Sequence, residues 1–550
     1  MRRSTFAVLL LLFPTLVAAE SAQRYIVALE RGVPAMHAGR MLRDIEVTSQ
    51  TRDVSEFSRF DSFAASLTEA EVRRLKQSPK VRFIEPVVER HLLSSLPVAG
   101  NALRNLTAQT VPFGIDLVRA RDVWPVARGN TINVAVIDTG VDYTHPDIAP
   151  AWAGGYNAFT KSNDPRDDNG HGTHVSGTIA AADNLIGVIG VAPNVRLWGV
   201  KALNAQGSGT NEQVIGGLNW LIEQKQALGG NWVVNLSLGS SEASTAEREA
   251  FAKAVDEGLL VVAASGNDSM PAVPAAVGFP AAYPGVIAVG AVNELSQIGV
   301  FSNQGPELGL VAPGVDILST MRVGTANYAA VQTTAGSLPG SALTGSKRGA
   351  INGEWVFCGV GKPEQFPTSV GGRIAVIRRG EGITFNQKVR RAKAAAATAV
   401  IIVNHDTSPL TFTLLDPDDP DSAAFDWPVV VALRMVDGEA LISNSGGTIL
   451  VANQADDYGS MNGTSMASPH VAGVAGLVWS TAPTASRDQV RQALFLTATD
   501  LGSGGKDVVF GNGLVHALNA AKMLAPSLFS NPATPADQPN GRRVLRRGRN

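Results

Sequence analysis

The densest hydrophobic patterning lies between residues 132 and 292. Ile132-Asn133-Val134-Ala135-Val136-Ile137 is a near-continuous apolar run, the kind that a strand shows when both of its faces are buried. Similar runs at 195–201, 232–236, 259–264 and 286–292 alternate with helical segments at 175–182, 211–228 and 247–257. Strands that alternate with helices predict a mostly parallel sheet with helices on both faces. Near the C-terminal end, residues 471–479 are apolar on all sides, which predicts a buried helix. The polar stretch Tyr458-Gly459-Ser460-Met461-Asn462-Gly463-Thr464-Ser465 runs straight into it.

Two other regions keep a different rhythm. Residues 24–29, 57–67 and 81–84 read as extended segments, and Thr68-Glu69-Ala70-Glu71 has the spacing of a capping box that opens a helix through Leu75. This order predicts a small α+β unit, one sheet with one or two helices on a single face. After Arg322 the α/β alternation stops. Three apolar strands at 372–377, 399–403 and 429–433, a basic Ala-rich helix at 385–398 and an acidic Pro-rich loop at 416–426 occupy 324–456, before α/β patterning resumes. That predicts a β-rich inserted domain.

The resulting expectation is a signal peptide (1–19), a small α+β domain (20–93), a linker (94–110), an α/β domain in two pieces (111–323 and 457–525), an insert (324–456) and a basic tail without structure (526–550). Arg2 and Arg3, the apolar run 6–12 and the small residues Val17-Ala18-Ala19 carry the signal-peptide reading. No later run is long and apolar enough for a membrane span, so export without membrane retention follows. Hydrophobic residues make up 45% and charged residues 17%, enough for large cores, and a net charge of −2 argues against nucleic-acid binding. The single cysteine, Cys358, excludes an internal disulfide.

Candidate chemistry sits where strands end and helices begin. Asp138 directly follows the apolar strand at 132–137, and the carboxyl ends of strands in open α/β sheets are where ligand sites form. His171, in Asn169-Gly170-His171-Gly172-Thr173-His174, stands at the start of a small-residue helix. His171 and His174 are three apart and lack the Glu of the zinc-protease motif, which argues against a zinc pair. Ser465 stands where a loop becomes a buried helix, so free N–H groups and the positive dipole end favour negative charge there. A serine hydroxyl needs a base, and the base needs an orienting carboxylate. Asn267 follows the strand at 259–264 and could donate to an oxyanion.

The order Asp138-Thr139-Gly140, His171-Gly172-Thr173-His174 and Gly463-Thr464-Ser465-Met466-Ala467-Ser468-Pro469 resembles the subtilase family of serine endopeptidases. An α/β-hydrolase would place the serine first. The resemblance implies a secreted peptidase acting on proteins or peptides, with Asp138, His171 and Ser465 catalytic and Asn267 in the oxyanion site. It implies that Asn235-Leu236-Ser237-Leu238-Gly239 is an edge strand that pairs with substrate backbone, with Gly207, Ser208 and Gly209 as its partner across the substrate. Ala264, Ser265 and Gly266 would join Ser237, Leu238 and Gly239 as walls of the main specificity pocket, with Asp268 at its rim. The unit at 20–93 resembles the family's inhibitory propeptide, and the insert, most clearly at 372–380, a protease-associated domain. A structural calcium site is implied for Gln109, Asp147 and Asn184 through side-chain oxygens and for Ala182, Ile186 and Val188 through carbonyls, an oxygen set that suits a hard cation. The chain is expected to be a monomer. A catalytically silent peptide-binding scaffold is the alternative; competent residue types at all four positions speak against it.

Overall fold

A computed structural model describes residues 22–34, 42, 53–93, 109–406, 412–444 and 446–530. The predicted signal peptide, most of the linker and most of the basic tail lie outside these residues. By internal contacts the chain divides into two compact units, Met1–Val87 and Val88–Asn550.

The first unit is a four-stranded antiparallel sheet in the order Ser55–Phe57, Ser62–Leu67, Gln23–Leu29, Val81–Pro86. The segment read as one extended region is two strands, because Asp61 adopts φ 46° and turns the chain. The helix Glu69–Leu75 opens with the predicted capping box: Glu71 N–H donates to Thr68 Oγ1 at 3.3 Å and Thr68 N–H to Glu71 Oε2 at 2.9 Å. Val27, Leu29, Phe63, Leu67 and Leu75 form its core.

The second unit is built on a seven-stranded sheet in the order Leu308–Pro313, Ile287–Val292, Leu259–Ala264, Trp232–Leu236, Asn133–Asp138, Arg196–Lys201, Trp152–Asn157. Every neighbouring pair is parallel. The central strands are buried throughout and mostly apolar because both faces are covered. The edge strand Trp152–Asn157 has no such signature. Its glycines allow close approach instead: a Cβ on Gly155 would lie 2.3 Å from the Gly199 carbonyl oxygen. The helix Thr464–Thr481 packs against the five strands from Asn133–Asp138 to Leu308–Pro313 and is buried along nearly its whole length. This explains why its sequence is apolar all round rather than striped.

The insert is a closed seven-stranded barrel in the order Ala326–Thr333, Gly336–Ala342, Val429–Leu433, Ala399–Val403, Ile374–Arg378, Gly349–Phe357, Thr448–Asp456. Alternate residues of its parallel strands feed two separate clusters. Ile374, Val376, Ile401 and Val431 meet Val331 and Val451 from other barrel strands, while Ala375, Ile377, Ile402 and Val430 meet Val389 and Ala392 of the helix Phe385–Ala394. That helix ends before 398, since Ala396 takes φ 63°. The start of the expected unstructured tail is a short 3-10 turn, Pro526–Leu528. Among the described residues, no helix is long and apolar enough to cross a membrane.

Candidate active site

Asp138 is the last residue of its strand, and its carboxylate is fully buried. It accepts from the Thr139 N–H at 2.7 Å and from His171 Nδ1 at 2.8 and 3.0 Å. His171 is the first residue of the helix His171–Ala180 and is 1% exposed. The two elements meet this closely because residue 172 is glycine: a Cβ there would lie 2.1 Å from the Gly140 carbonyl oxygen. Asp167 fixes the loop between them, accepting from the Thr139 and Thr173 hydroxyls and from the Gly170 N–H. With Nδ1 on Asp138, the histidine turns Nε2 away from the carboxylate. Among the described residues His171 Nε2 has no hydrogen-bond partner.

Ser465 is the second residue of the helix Thr464–Thr481, which packs against the helix of His171. The N-cap is Gly463 at φ 149°, so Ser465 is not itself the cap. Pro469 lies inside the helix and lacks an N–H, so the Ser465 carbonyl loses its intrahelical donor. The Ser237 hydroxyl supplies one at 2.8 Å and also meets Ser468 Oγ at 2.9 Å, while Asn235 Nδ2 donates to Ser237 Oγ at 3.1 Å. Ser237 thus ties the serine's backbone to the end of the central strand Trp232–Leu236. Asn267 is held by Thr464, whose N–H and hydroxyl both donate to Asn267 Oδ1 at 2.9 Å. That fixes which end of the carboxamide carries the N–H groups. The Gly266 N–H donates to Thr464 Oγ1 at 3.2 Å, so the strand end at Ala264, Ser265 and Gly266 is fastened to the same helix start.

The two segments expected to flank a substrate lie on either side of a strand of this chain itself. Glu89–Leu92 is the middle strand of a three-stranded antiparallel sheet, with Leu238–Gly239 on one side and Ser208–Thr210 on the other. Leu92 pairs with Leu238, His91 with Gly239 and Ser208, and Arg90 with Gly209. The Leu92 N–H donates to the Gly207 carbonyl at 2.8 Å. Leu93 follows with its carbonyl oxygen 3.3 Å from Ser465 Oγ, and a Cβ on Gly239 would lie 3.7 Å from Leu93 Cδ2. Ser465 Oγ also donates to the Ser237 carbonyl at 3.0 Å, so the serine hydroxyl is turned onto carbonyls rather than onto the imidazole. Asp268 accepts from Asn303 Nδ2 at 3.0 Å, which engages the carboxylate expected at the pocket rim. The strand at 89–92 has no signature in the sequence: Glu-Arg-His-Leu is polar, and its pairing comes only from edges distant in the chain.

The expected calcium ligands converge on one loop. Gln109 Nε2 lies 2.6 Å from the Ala182 carbonyl and 3.0 Å from that of Val188. Asp147 accepts from Asn184 Nδ2 at 2.9 Å and from the Val188 N–H at 3.0 Å, and the Ile186 N–H donates to Asn184 Oδ1 at 3.2 Å. Among the described residues no three His, Cys, Asp or Glu side chains cluster as metal ligands. A cation here would therefore rest on carbonyls, two amides and the single Asp147 carboxylate. That oxygen set fits calcium once the Gln109 amide turns over to present Oε1.

Comparisons with known proteins agree with this geometry. Residues 129–341 and 392–513 match the pattern of the Subtilase family, and residues 340–441 that of the PA domain. Subtilisin E of Bacillus subtilis is 37% identical over 318 residues, 58% of this chain and 77% of the relative. Subtilisin DY of Bacillus licheniformis is 44% identical over 214 residues, 39% of this chain and 76% of the relative. The crystal structure of the psychrophilic subtilisin-like protease Apa1 from Pseudoalteromonas sp. AS-11 superposes with a TM-score of 0.56 at 31% identity, covering 77% of this chain and 100% of that one. Fervidolysin from Fervidobacterium pennivorans, at 21% identity and a TM-score of 0.57 over 92% of this chain and 61% of its own, shares the fold. The family pattern spans more than half of the chain, and the buried Asp138 at a strand end meets His171 on a helix packed against that of Ser465; the chain therefore belongs to the subtilase family, as a subtilisin-like serine endopeptidase with an inserted PA domain.

Proposed function

We propose that the chain is made as an exported zymogen that cuts itself after Leu93 and then hydrolyses other proteins at the same site. The observation that carries this reading is the 3.3 Å approach of the Leu93 carbonyl oxygen to Ser465 Oγ, at the end of a strand held on both edges. A bound substrate would take the same place, pairing its backbone with Leu238–Gly239 and Ser208–Thr210 by strand addition. Ser237, Leu238, Gly239, Ala264, Ser265 and Gly266 would form the walls around the side chain before the cut bond.

In the reaction, the Ser465 hydroxyl turns from the Ser237 carbonyl towards His171 Nε2, which takes its proton as Oγ attacks the Leu93 carbonyl carbon. Asp138 keeps the imidazole in the required tautomer and stabilises the imidazolium that forms. The oxyanion is met by the Ser465 N–H, one of the unpaired donors of a helix start, and by the Asn267 amide, whose orientation Thr464 sets. His171 then passes its proton to the leaving amine of Ser94. Water, deprotonated by the same imidazole, frees Ser465 from the acyl group. The released segment ending at Leu93 is a product that still fits the site, and this gives the N-terminal unit its inhibitory role.

We assign Gln109, Asp147, Ala182, Asn184, Ile186 and Val188 to a calcium site that stabilises the fold and takes no part in the chemistry. Intact mass of the secreted protein tests the zymogen reading. Wild type should yield a chain beginning at Ser94, and Ser465→Ala should remain uncut at that bond. Normal processing of the Ser465→Ala protein in the absence of any other peptidase would overturn it.

A further inference from the structure

The side chain of Arg90, three residues before Leu93, goes somewhere unusual for a guanidinium. It is completely buried, and its ion-pair partner Glu247 is completely buried as well. Arg90 Nε donates to Glu247 Oε1 at 3.1 Å and Nη2 to Glu247 Oε2 at 2.5 Å. Nη1 donates to Ser240 Oγ at 2.7 Å and to the Glu89 carbonyl at 2.8 Å, and Nη2 also reaches the Glu242 carbonyl at 3.1 Å. These bonds satisfy all five donors that a guanidinium carries.

The receiving pocket is built independently of the residue that fills it. Glu247 lies in the first turn of the helix Thr245–Asp256, where its N–H is capped by Ser244 Oγ at 3.0 Å. The Tyr283 hydroxyl donates to Glu247 Oε2 at 3.0 Å and accepts from the Ser244 N–H at 2.9 Å. The Tyr283 ring packs on Phe279 and Phe251, with centroids 4.8 and 5.8 Å away. The carboxylate is thus aimed by a helix start, a tyrosine and an aromatic floor. A carboxylate out of water needs a paired cation, and here the cation arrives on the strand that lies in the substrate edge. Burial opposes the charge of Arg90, but Glu247 and Tyr283 together hold the guanidinium above its ordinary range.

We infer that this pocket selects arginine at the fourth position before the cleaved bond, with Glu247 as the specificity-determining residue and Ser240 and the Glu242 carbonyl reading the rest of the fork. The inference rests on the peptidase reading above and on Leu93 as the residue before the cut. It extends to the free enzyme: once residues up to 93 leave, Glu247 loses its cation, and a substrate with arginine at that position restores it. Lysine is a poor substitute, because a compact ammonium with three donors cannot span Glu247, Ser240 and the Glu242 carbonyl together. The same contact would make Arg90 the anchor of the released inhibitory segment.

The test uses the self-processed enzyme and quenched fluorescent peptides with leucine before the cut bond, identical except for Arg, Lys or Leu at the fourth position. Arginine should exceed leucine in kcat/KM by roughly 10²-fold or more, as expected where buried polar groups would be left unpaired by the wrong substrate. The ratio should collapse to within a few-fold in Glu247→Gln. A peptide ending Glu-Arg-His-Leu-Leu should inhibit the wild-type enzyme, and its version with alanine for arginine should do so at least tenfold more weakly. The wild-type comparisons do not depend on whether the variant folds. Equal cleavage of the Arg and Leu peptides by wild type would overturn the arginine selection alone. Cleavage of neither peptide, nor of casein, would overturn the peptidase reading and the inference with it.

Discussion

The strand Asn133–Asp138 of the central sheet and the strand Ile374–Arg378 of the barrel have nearly the same pattern, an apolar run closed by an ionisable residue. Both sit among parallel neighbours. Asp138 is fully buried and bonded to His171, under a helix start that Gly172 allows to come close. Arg378 is 39% exposed and forks onto Glu439, equally exposed, at 2.6 and 2.5 Å. The first pair is held out of water, where a hydrogen bond between the two groups is little screened. The second is screened by water and contributes little. A charged residue at a strand end becomes chemistry only when a second element buries it against a titratable partner.

One variant from each region separates the two pairs most widely. Asp138→Asn should lower kcat by roughly 10⁴-fold and Ser465→Ala by at least as much, from the behaviour of serine triads. Arg378→Ala should leave kcat within about twofold and cost no more than about 1 kcal/mol of stability. Titration of a peptide substrate with each purified protein decides it, and comparable losses in both regions would erase the distinction. Next in size is Asn267→Leu, expected to reduce kcat by roughly 10²–10³ with little change in KM, since its bond forms mainly in the transition state.

Calcium should sharpen the contrast through stability rather than rate. A ligand bound only to the native state at 100 times its Kd adds about 2.7 kcal/mol. Excess calcium over EDTA should therefore lengthen the thermal half-life and slow amide exchange at 182–188, with the barrel strands at 374–403 unaffected and the initial rate at 25 °C unchanged. Equal half-lives would remove the site.

Acid should also act on the α/β region first. Burial pushes His174 down to about 3 and His470 down to about 4 from an ordinary 6.5, and both are fully buried there, whereas the barrel's His405 is exposed. Below about 6.5 the unfolded chain takes up protons that these folded imidazoles refuse. Stability present at pH 7 should then be lost progressively as the pH falls from about 6.5 towards 4, and the loss should be shallower in His470→Gln. Melting curves of the Ser465→Ala protein across that range would show it, and a flat profile would contradict it. The smallest expected effect is at Cys358. Burial raises its thiol to about 11, so it stays protonated and unreactive. Iodoacetamide should leave activity intact while a fluorophosphonate abolishes it; the reverse would move the nucleophile into the barrel.

Much of the architecture was legible because it rests on local pattern. The apolar runs at 132–137 and 259–264 could only be central strands, the capping box at Thr68 could be read from four residues, and the small residues around His171 and Ser465 marked helices that let backbones come close. The edge strand Trp152–Asn157 was not legible, since glycine and aromatic residues carry no strand period and its place depends on Trp198 and Gly199 in a neighbouring strand.

Local pattern was enough to mark the candidate site residues and their order, since Asp138, His171, Asn267 and Ser465 each stand in a short, distinctive context. What those residues hold, and where the chain's own segment goes, depends on groups far apart in the chain. Ser237 supports the Ser465 carbonyl because Pro469 withholds a donor, a relation across 228 residues. Arg90 meets Glu247 across 157 residues, in a polar strand that has no reason to form until two distant edges offer it hydrogen bonds. A pattern within the chain reports which face is apolar, but the pairing of a buried charge depends on which distant group fills the same low-dielectric space.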